Sequence, residues 1–265
     1  KITSLPPAIL FDRIENYYDR QWSNLVLSYK LLNLFIVSSY ITPNLLMQTI
    51  SQEFISKLFR CFQSPDSRER QEVKSILYAI AGRIPERGMI IMSLMRKSVI
   101  DSINDEPIHW GLPQILELFT SIITSIPQYT RSNFDDILKQ YLLPLHLSHQ
   151  LTSFSTPILN LVKTVIQKNP KELASIVVSF LLNHFPAASQ KKQIAFIKEI
   201  EEIVKNNYKF ITPTTTNLLF ERISMLYSDD CAEIAEQALL LIYADGFHQL
   251  LSQYFQSIAP LLLYR

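Results

Sequence analysis

Apolar residues recur three and four positions apart along almost all of the 265 residues, the spacing that sets one stripe of an α-helix against its neighbours. Val73, Ile76, Leu77, Ile80 and Ile84 form one such stripe, and Leu112, Ile115, Leu116, Phe119, Ile122 and Ile123 form a second. Ile194, Ile197, Ile200 and Val204 form a third, on a segment whose polar face is read as Lys198, Glu199, Glu201, Glu202 and Lys205. Helix starts are marked by a polar capping residue followed by proline, whose missing N–H has no partner in a first turn anyway. Thr42-Pro43, Thr156-Pro157, Asn169-Pro170 and Thr212-Pro213 have this form. In Ser64-Pro65-Asp66-Ser67-Arg68-Glu69, Asp66 is expected to cap and Glu69 to bond back to it as in a capping box.

Grouped in pairs, the helices give units of 21–63, 64–104, 107–145, 152–185, 188–228 and 229–265, each about 40 residues long, the period of HEAT-type repeats. A helical hairpin that buries one face must stack on the next to cover the other. The expected fold is therefore an all-α, HEAT-like solenoid of about six hairpins, running through 1–265 as one domain. No low-complexity linker interrupts it.

Composition narrows the functions. Four glycines are too few for the tight turns and phosphate loops of sheet-based nucleotide enzymes. Lys and Arg number 25 against 24 Asp and Glu, so no field that would track phosphates is built, and nucleic acid is not an expected partner. Cys61 and Cys231 stand far apart within apolar patterns and are read as small core hydrophobes of a reducing compartment. Leu31 to Gln52 carries no charge, but Asn33, Ser38, Ser39, Thr42, Asn44 and Gln48 interrupt it, so buried helices are expected and not a membrane span. No secretory leader is legible.

Chemistry-bearing residues are sparse. His146 and His149 could share a helix face, but no general base lies between them and no third ligand is near, so no metal is expected. Asp229-Asp230-Cys231-Ala232-Glu233 resembles an acidic magnesium cluster of all-helical enzymes, although acids at a helix start also complement its dipole. Trp22 and Trp110 are read as anchors at helix contacts, and Arg96-Lys97 and Lys191-Lys192 as solvated helix ends. The expected function is binding without catalysis, and without a cofactor.

Several stretches carry a family likeness. Ser64-Pro65-Asp66-Ser67-Arg68-Glu69-Arg70, with Leu77, Ile80 and Gly82 beyond it, resembles the opening of a central helix in the B-prime (B56-type) regulatory subunits of protein phosphatase 2A. Ile115-Leu116-Glu117-Leu118, Tyr141 through His146, and Phe185-Pro186 through Ile203 agree with the same family in order and spacing. So do Gln21-Trp22 through Phe35, Ala235 through Leu239 and Leu263-Tyr264-Arg265. The resemblance implies a central portion of a longer, non-catalytic subunit, in cytoplasm or nucleus, that binds scaffold and catalytic subunits and recruits substrate proteins through short linear motifs.

In that family a groove between repeats takes Leu-x-x-Ile-x-Glu motifs, with apolar pockets and basic groups for the acid. Carried over by position, the resemblance implies Leu118 and Ile122 as the apolar wall, with Glu117 beside them. The polar wall departs from the pattern. Tyr78-Ala79-Ile80-Ala81 stands where the family has a His-Arg pair followed, two residues later, by tyrosine, and Gly88 stands where it has an arginine. Leu118 and Ile122 are also what plain helix packing would place there. An unrelated helical-repeat adaptor, serving nuclear transport or trafficking, remains the other reading of the same pattern.

Overall fold

The computed structural model describes residues 17–104, 110–129, 134–227 and 231–263, with the side chains of 257 and 260–263 set aside. Asp229, Asp230, Tyr264 and Arg265, singled out above, lie outside the described residues. The described residues are helical with no strand, as the apolar spacing requires. The chain divides into two compact units, Lys1–Ser132 and Asn133–Arg265.

The first unit contains α1 (Trp22–Val37), α2 (Pro43–Thr49), α3 (Gln52–Arg60), α4 (Ser67–Arg83), α5 (Pro85–Ile103) and α6 (Leu112–Ser125). The second contains α7 (Phe134–Ile137), a π-helical turn over Leu138–Leu142, α8 (Leu143–Leu145), α9 (Leu151–Lys168), α10 (Pro170–Asn183), α11 (Gln190–Asn207), α12 (Pro213–Leu226), α13 (Ala232–Tyr243) and α14 (Asp245–Leu263).

Each unit is a two-layer stack. In the first, α1, α4 and α6 pack side by side while α3 and α5 pair behind them, with α5 also against α4 and α6. In the second, α9, α11 and α13 form one layer and α10, α12 and α14 the other. The inward stripes fill the space between layers. Val73, Ile76, Leu77 and Ile80 of α4, and Leu116, Phe119, Ile122 and Ile123 of α6, have no exposed surface. Fully burying each such side chain stabilises the stack by about 1.5–3 kcal/mol. Ile197, Ile200 and Val204 of the third stripe are buried too, while Ile194 is half-buried.

The repeat period reappears in the polar contacts. Side-chain hydrogen bonds between elements of the first unit join residues 40 to 47 apart. In the second unit the separations run from 37 to 43, apart from one pair 53 residues apart. Each residue thus meets its counterpart one repeat on. At Gly246 the layers come so close that a Cβ would lie 2.7 Å from the Val204 carbonyl oxygen.

Caps follow chemistry with three departures, the first being Asn169, which stands at the N-cap of α10 but donates its Nδ2 to Glu172 instead of accepting an amide. Thr42 and Thr212 accept from the amides of Leu45 and Thr215, and Pro43, Pro170 and Pro213 open helices. Thr156-Pro157 opens none: α9 runs from Leu151, with its backbone non-helical at Phe154, so Pro157 falls in the first turn after that break. Asp66 caps α4 through the Arg68 amide, but Glu69 turns towards α1 to accept the Tyr29 hydroxyl at 2.6 Å instead of closing a capping box. Cys61 and Cys231 are half-buried and not core residues, Cys231 taking the N-cap of α13. No helix among the described residues is long and apolar enough to cross a membrane.

Candidate functional site

The opening of α4 is held by an arginine. Asp66, 1% exposed, accepts Nε and Nη2 of Arg68 at 3.0 and 2.7 Å, the Arg68 amide at 2.9 Å and the Asp19 amide at 2.9 Å. The Arg68 guanidinium lies 4.7 Å from the ring of Tyr18 and 4.8 Å from that of Trp22, so Trp22 is an anchor at a helix contact, as its type suggests. Burial pushes the Asp66 carboxyl up, but the Arg68 side chain and the two amides outweigh this and hold it below the usual carboxylate value. Arg70 binds the Ser64 and Pro65 carbonyls and Gln114 of α6, tying the turn to the next repeat.

Farther along, α4 and α6 run side by side. Leu118 and Ile122 sit in the seam with no exposed surface, so both are packing residues in this conformation. Glu117 faces outward and accepts Lys74 at 2.6 Å across the same seam. Where the two helices end, a cleft of 320 Å³ opens between Tyr78, Ala79, Gly82 and Arg83 on one side and Ser125, Ile126, Pro127 and Gln128 on the other, with Val37 at its rim. Arg83 donates to the Val37 and Ile41 carbonyls, and Gln128 to that of Ala81.

Of the positions singled out from the sequence, the structure brings Tyr78, Ala79 and Gly82 to this cleft. Ala81 is fully buried, and Gly88 is buried beneath Tyr129. A Cβ at Gly88 would lie 1.9 Å from the Tyr129 hydroxyl oxygen, which donates to the Pro85 carbonyl at 2.8 Å. Tyr129 therefore occupies the space that an arginine at position 88 would need. Burial raises the pKa of the Tyr129 hydroxyl, keeping it a donor. Arg83, Gln128 and Val37 were not among the sequence candidates. Their only signal is a spacing close to one repeat from their partners.

His146 and His149 do not converge. His146 is buried against Glu199, whereas His149 is exposed. The described residues contain no cluster of three or more potential metal ligands. Glu199, assigned above to the polar face of its helix, is 4% exposed, a correction imposed by its partner. Arg96 lies in the middle of α5, half-buried, and not at a helix end.

The family model for the protein phosphatase 2A regulatory B subunit (B56 family) matches residues 2–265. The chain belongs to the B56 family. Among curated relatives, the 57 kDa B' kappa isoform of the serine/threonine protein phosphatase 2A regulatory subunit from Oryza sativa is 28% identical over 249 residues, covering 94% of this chain and 49% of the relative. The kappa isoform of Arabidopsis thaliana is 27% identical over 256 residues, covering 95% and 50%. The Arabidopsis 55 kDa B' delta isoform is 27% identical over 257 residues, covering 97% and 54%. The chain spans about half the length of these relatives. B56 membership decides between the two readings of the helical pattern in favour of the phosphatase family.

Proposed function

We propose that this chain acts within a non-catalytic regulatory subunit of protein phosphatase 2A, binding the scaffold and catalytic subunits and recruiting substrate proteins that carry short linear motifs. The observation that carries this reading is the B56 match across residues 2–265. The relatives' names, regulatory subunits of a serine/threonine phosphatase, agree with it. Such a subunit works by proximity, raising the effective concentration of a substrate at an active site elsewhere.

Motif recognition in this chain is altered. Leu118 and Ile122 offer no surface, Gly88 is closed by Tyr129, and Tyr78 and Ala79 replace the donors that would meet a motif glutamate. Leaving that carboxylate unpaired costs about 1–3 kcal/mol or more. Cytoplasmic or nuclear residence is part of the same proposal.

Affinity purification of the full-length protein from its native cells, with a phosphatase assay on the eluate, tests the first statement. Recovery of both subunits with inhibitor-sensitive activity is expected; recovery of neither overturns it. Titration with a labelled Leu-x-x-Ile-x-Glu peptide tests the second. Binding weaker than micromolar is expected, and micromolar binding abolished by Leu118→Ala would overturn it. Fractionation of the same cells places the protein.

A further inference from the structure

The pair separated by 53 residues, outside the repeat period, is His146 with Glu199. It arises from an irregular turn. In the π-helical turn over Leu138–Leu142 the Leu143 amide reaches back to Leu138, and Pro144, which follows, has no N–H to give. The His146 amide then bonds Leu143 at 3.1 Å in a tighter turn. The Leu142 carbonyl is thereby left for the His146 ring, whose Nδ1 lies 2.7 Å away.

A carbonyl only accepts, so Nδ1 carries a hydrogen. The other nitrogen, Nε2, lies 3.1 and 3.0 Å from the two oxygens of Glu199 on α11. One proton between Nε2 and the carboxylate satisfies both groups; without it a lone pair faces a carboxylate. Water does not reach the pair readily, since the side chains are 0% and 5% exposed. Phe180 of α10 and Phe196 of α11 turn their rings edgewise to the imidazole at 6.5 and 6.1 Å.

We propose that His146 and Glu199 form a single-proton clasp, which holds the turn between α8 and α9 against α11 and loosens when that proton is lost to solvent. The surrounding charges are few and screened from it. His184, capping the C-terminus of α10, stacks on Phe180, at 4.2 Å between centroids. Lys163 of α9 and Glu202 of α11 pair with each other farther along α11. His149, on the same turn, is exposed, as is Lys198 beside Glu199, and Glu201 is half-buried.

Burial lowers the affinity of the His146 ring for its proton, but Glu199 and the carbonyls of Leu142 and Leu143 outweigh it and raise the pKa above the usual histidine value. The folded chain therefore keeps a proton that the opened turn releases. The clasp contributes fully below about pH 6.5, and its contribution is lost as pH rises through the raised value. Between the two values the opening equilibrium of the turn grows by up to about tenfold per pH unit.

The experiment is hydrogen exchange of residues 138–151 in the full chain from about pH 6 to pH 9, corrected for base catalysis, beside an NMR titration of the histidine rings. His146 is expected to titrate above the usual histidine value, with protection of the turn falling through the same range. In Glu199→Gln the amide keeps a hydrogen bond to neutral imidazole, so the pH dependence of protection is expected to vanish. If that variant does not fold, the wild-type titration alone decides. A His146 titration at or below the usual histidine value, or protection independent of pH in the wild type, overturns the clasp.

Discussion

The Asp66 cluster at the start of α4 and the His146–Glu199 pair against α11 each fasten a turn to a neighbouring helix, by opposite means. Arg68 is about one-third exposed, stacked between Tyr18 and Trp22, and bound to a carboxylate that also takes two backbone amides. Removing one of those contacts leaves others. His146 and Glu199 depend on one proton in a space closed by phenylalanine rings. A buried carboxylate with several hydrogen bonds and a partly exposed arginine tolerates change, whereas an enclosed pair puts the full desolvation penalty on whichever partner is left.

The sharpest way to break this comparison is to delete one member of the enclosed pair. Glu199→Ala or His146→Ala is expected to cost about 3–5 kcal/mol in urea denaturation of the full chain. His146→Leu combined with Glu199→Leu is expected to recover most of the loss, because no polar group is then buried alone. A single-variant loss below about 1 kcal/mol would show the pair to be peripheral.

At the rim, Asp66→Ala removes a cap and an ion pair and is expected to cost about 1–2 kcal/mol, read in the same denaturation. Acid should have a related effect. The lowered Asp66 pKa means its contribution is present above about pH 4 and lost as pH falls through the folded value. The two clusters thus oppose each other: acid loosens the turn of the first unit, while base loosens that of the second. Hydrogen exchange of residues 64–72 against 138–151 across pH separates them, and parallel pH responses would refute the contrast. The smallest effect is expected at the seams. Lys74 with Glu117 and Lys163 with Glu202 pair with side chains 24–39% exposed, so Lys74→Ala or Lys163→Ala should cost less than about 1 kcal/mol, and less still in high salt.

Much of this was legible before any coordinates. The stripes through Val73 and Leu112 are buried in full, because a period near 3.6 admits only one inward face. Thr42 and Thr212 cap as read, since a hydroxyl beside a proline-led turn has a local partner. Where a polar residue had a choice, the local reading failed. Glu69 prefers the Tyr29 hydroxyl, 40 residues back, to its own helix start. Glu199, read with the charged face, lies one turn from the buried Phe196 and Ile203 and is enclosed with His146 from another repeat.

The candidate groove shows the same limit. Leu118 and Ile122 belong to a stripe that packing and ligand binding would write alike, and only burial tells that both are enclosed. Nothing near Gly88 in the chain says that Tyr129 fills the space above it. By itself the sequence determined the helices, their pairing at about 40 residues and the family, because apolar period, proline punctuation and motif order are local or additive signals. Only the tertiary structure decided which charges are enclosed, that Tyr129 closes over Gly88 and where a cleft opens. Those outcomes depend on groups about one repeat or more apart meeting at hydrogen-bond distance, and no local pattern along the chain records that.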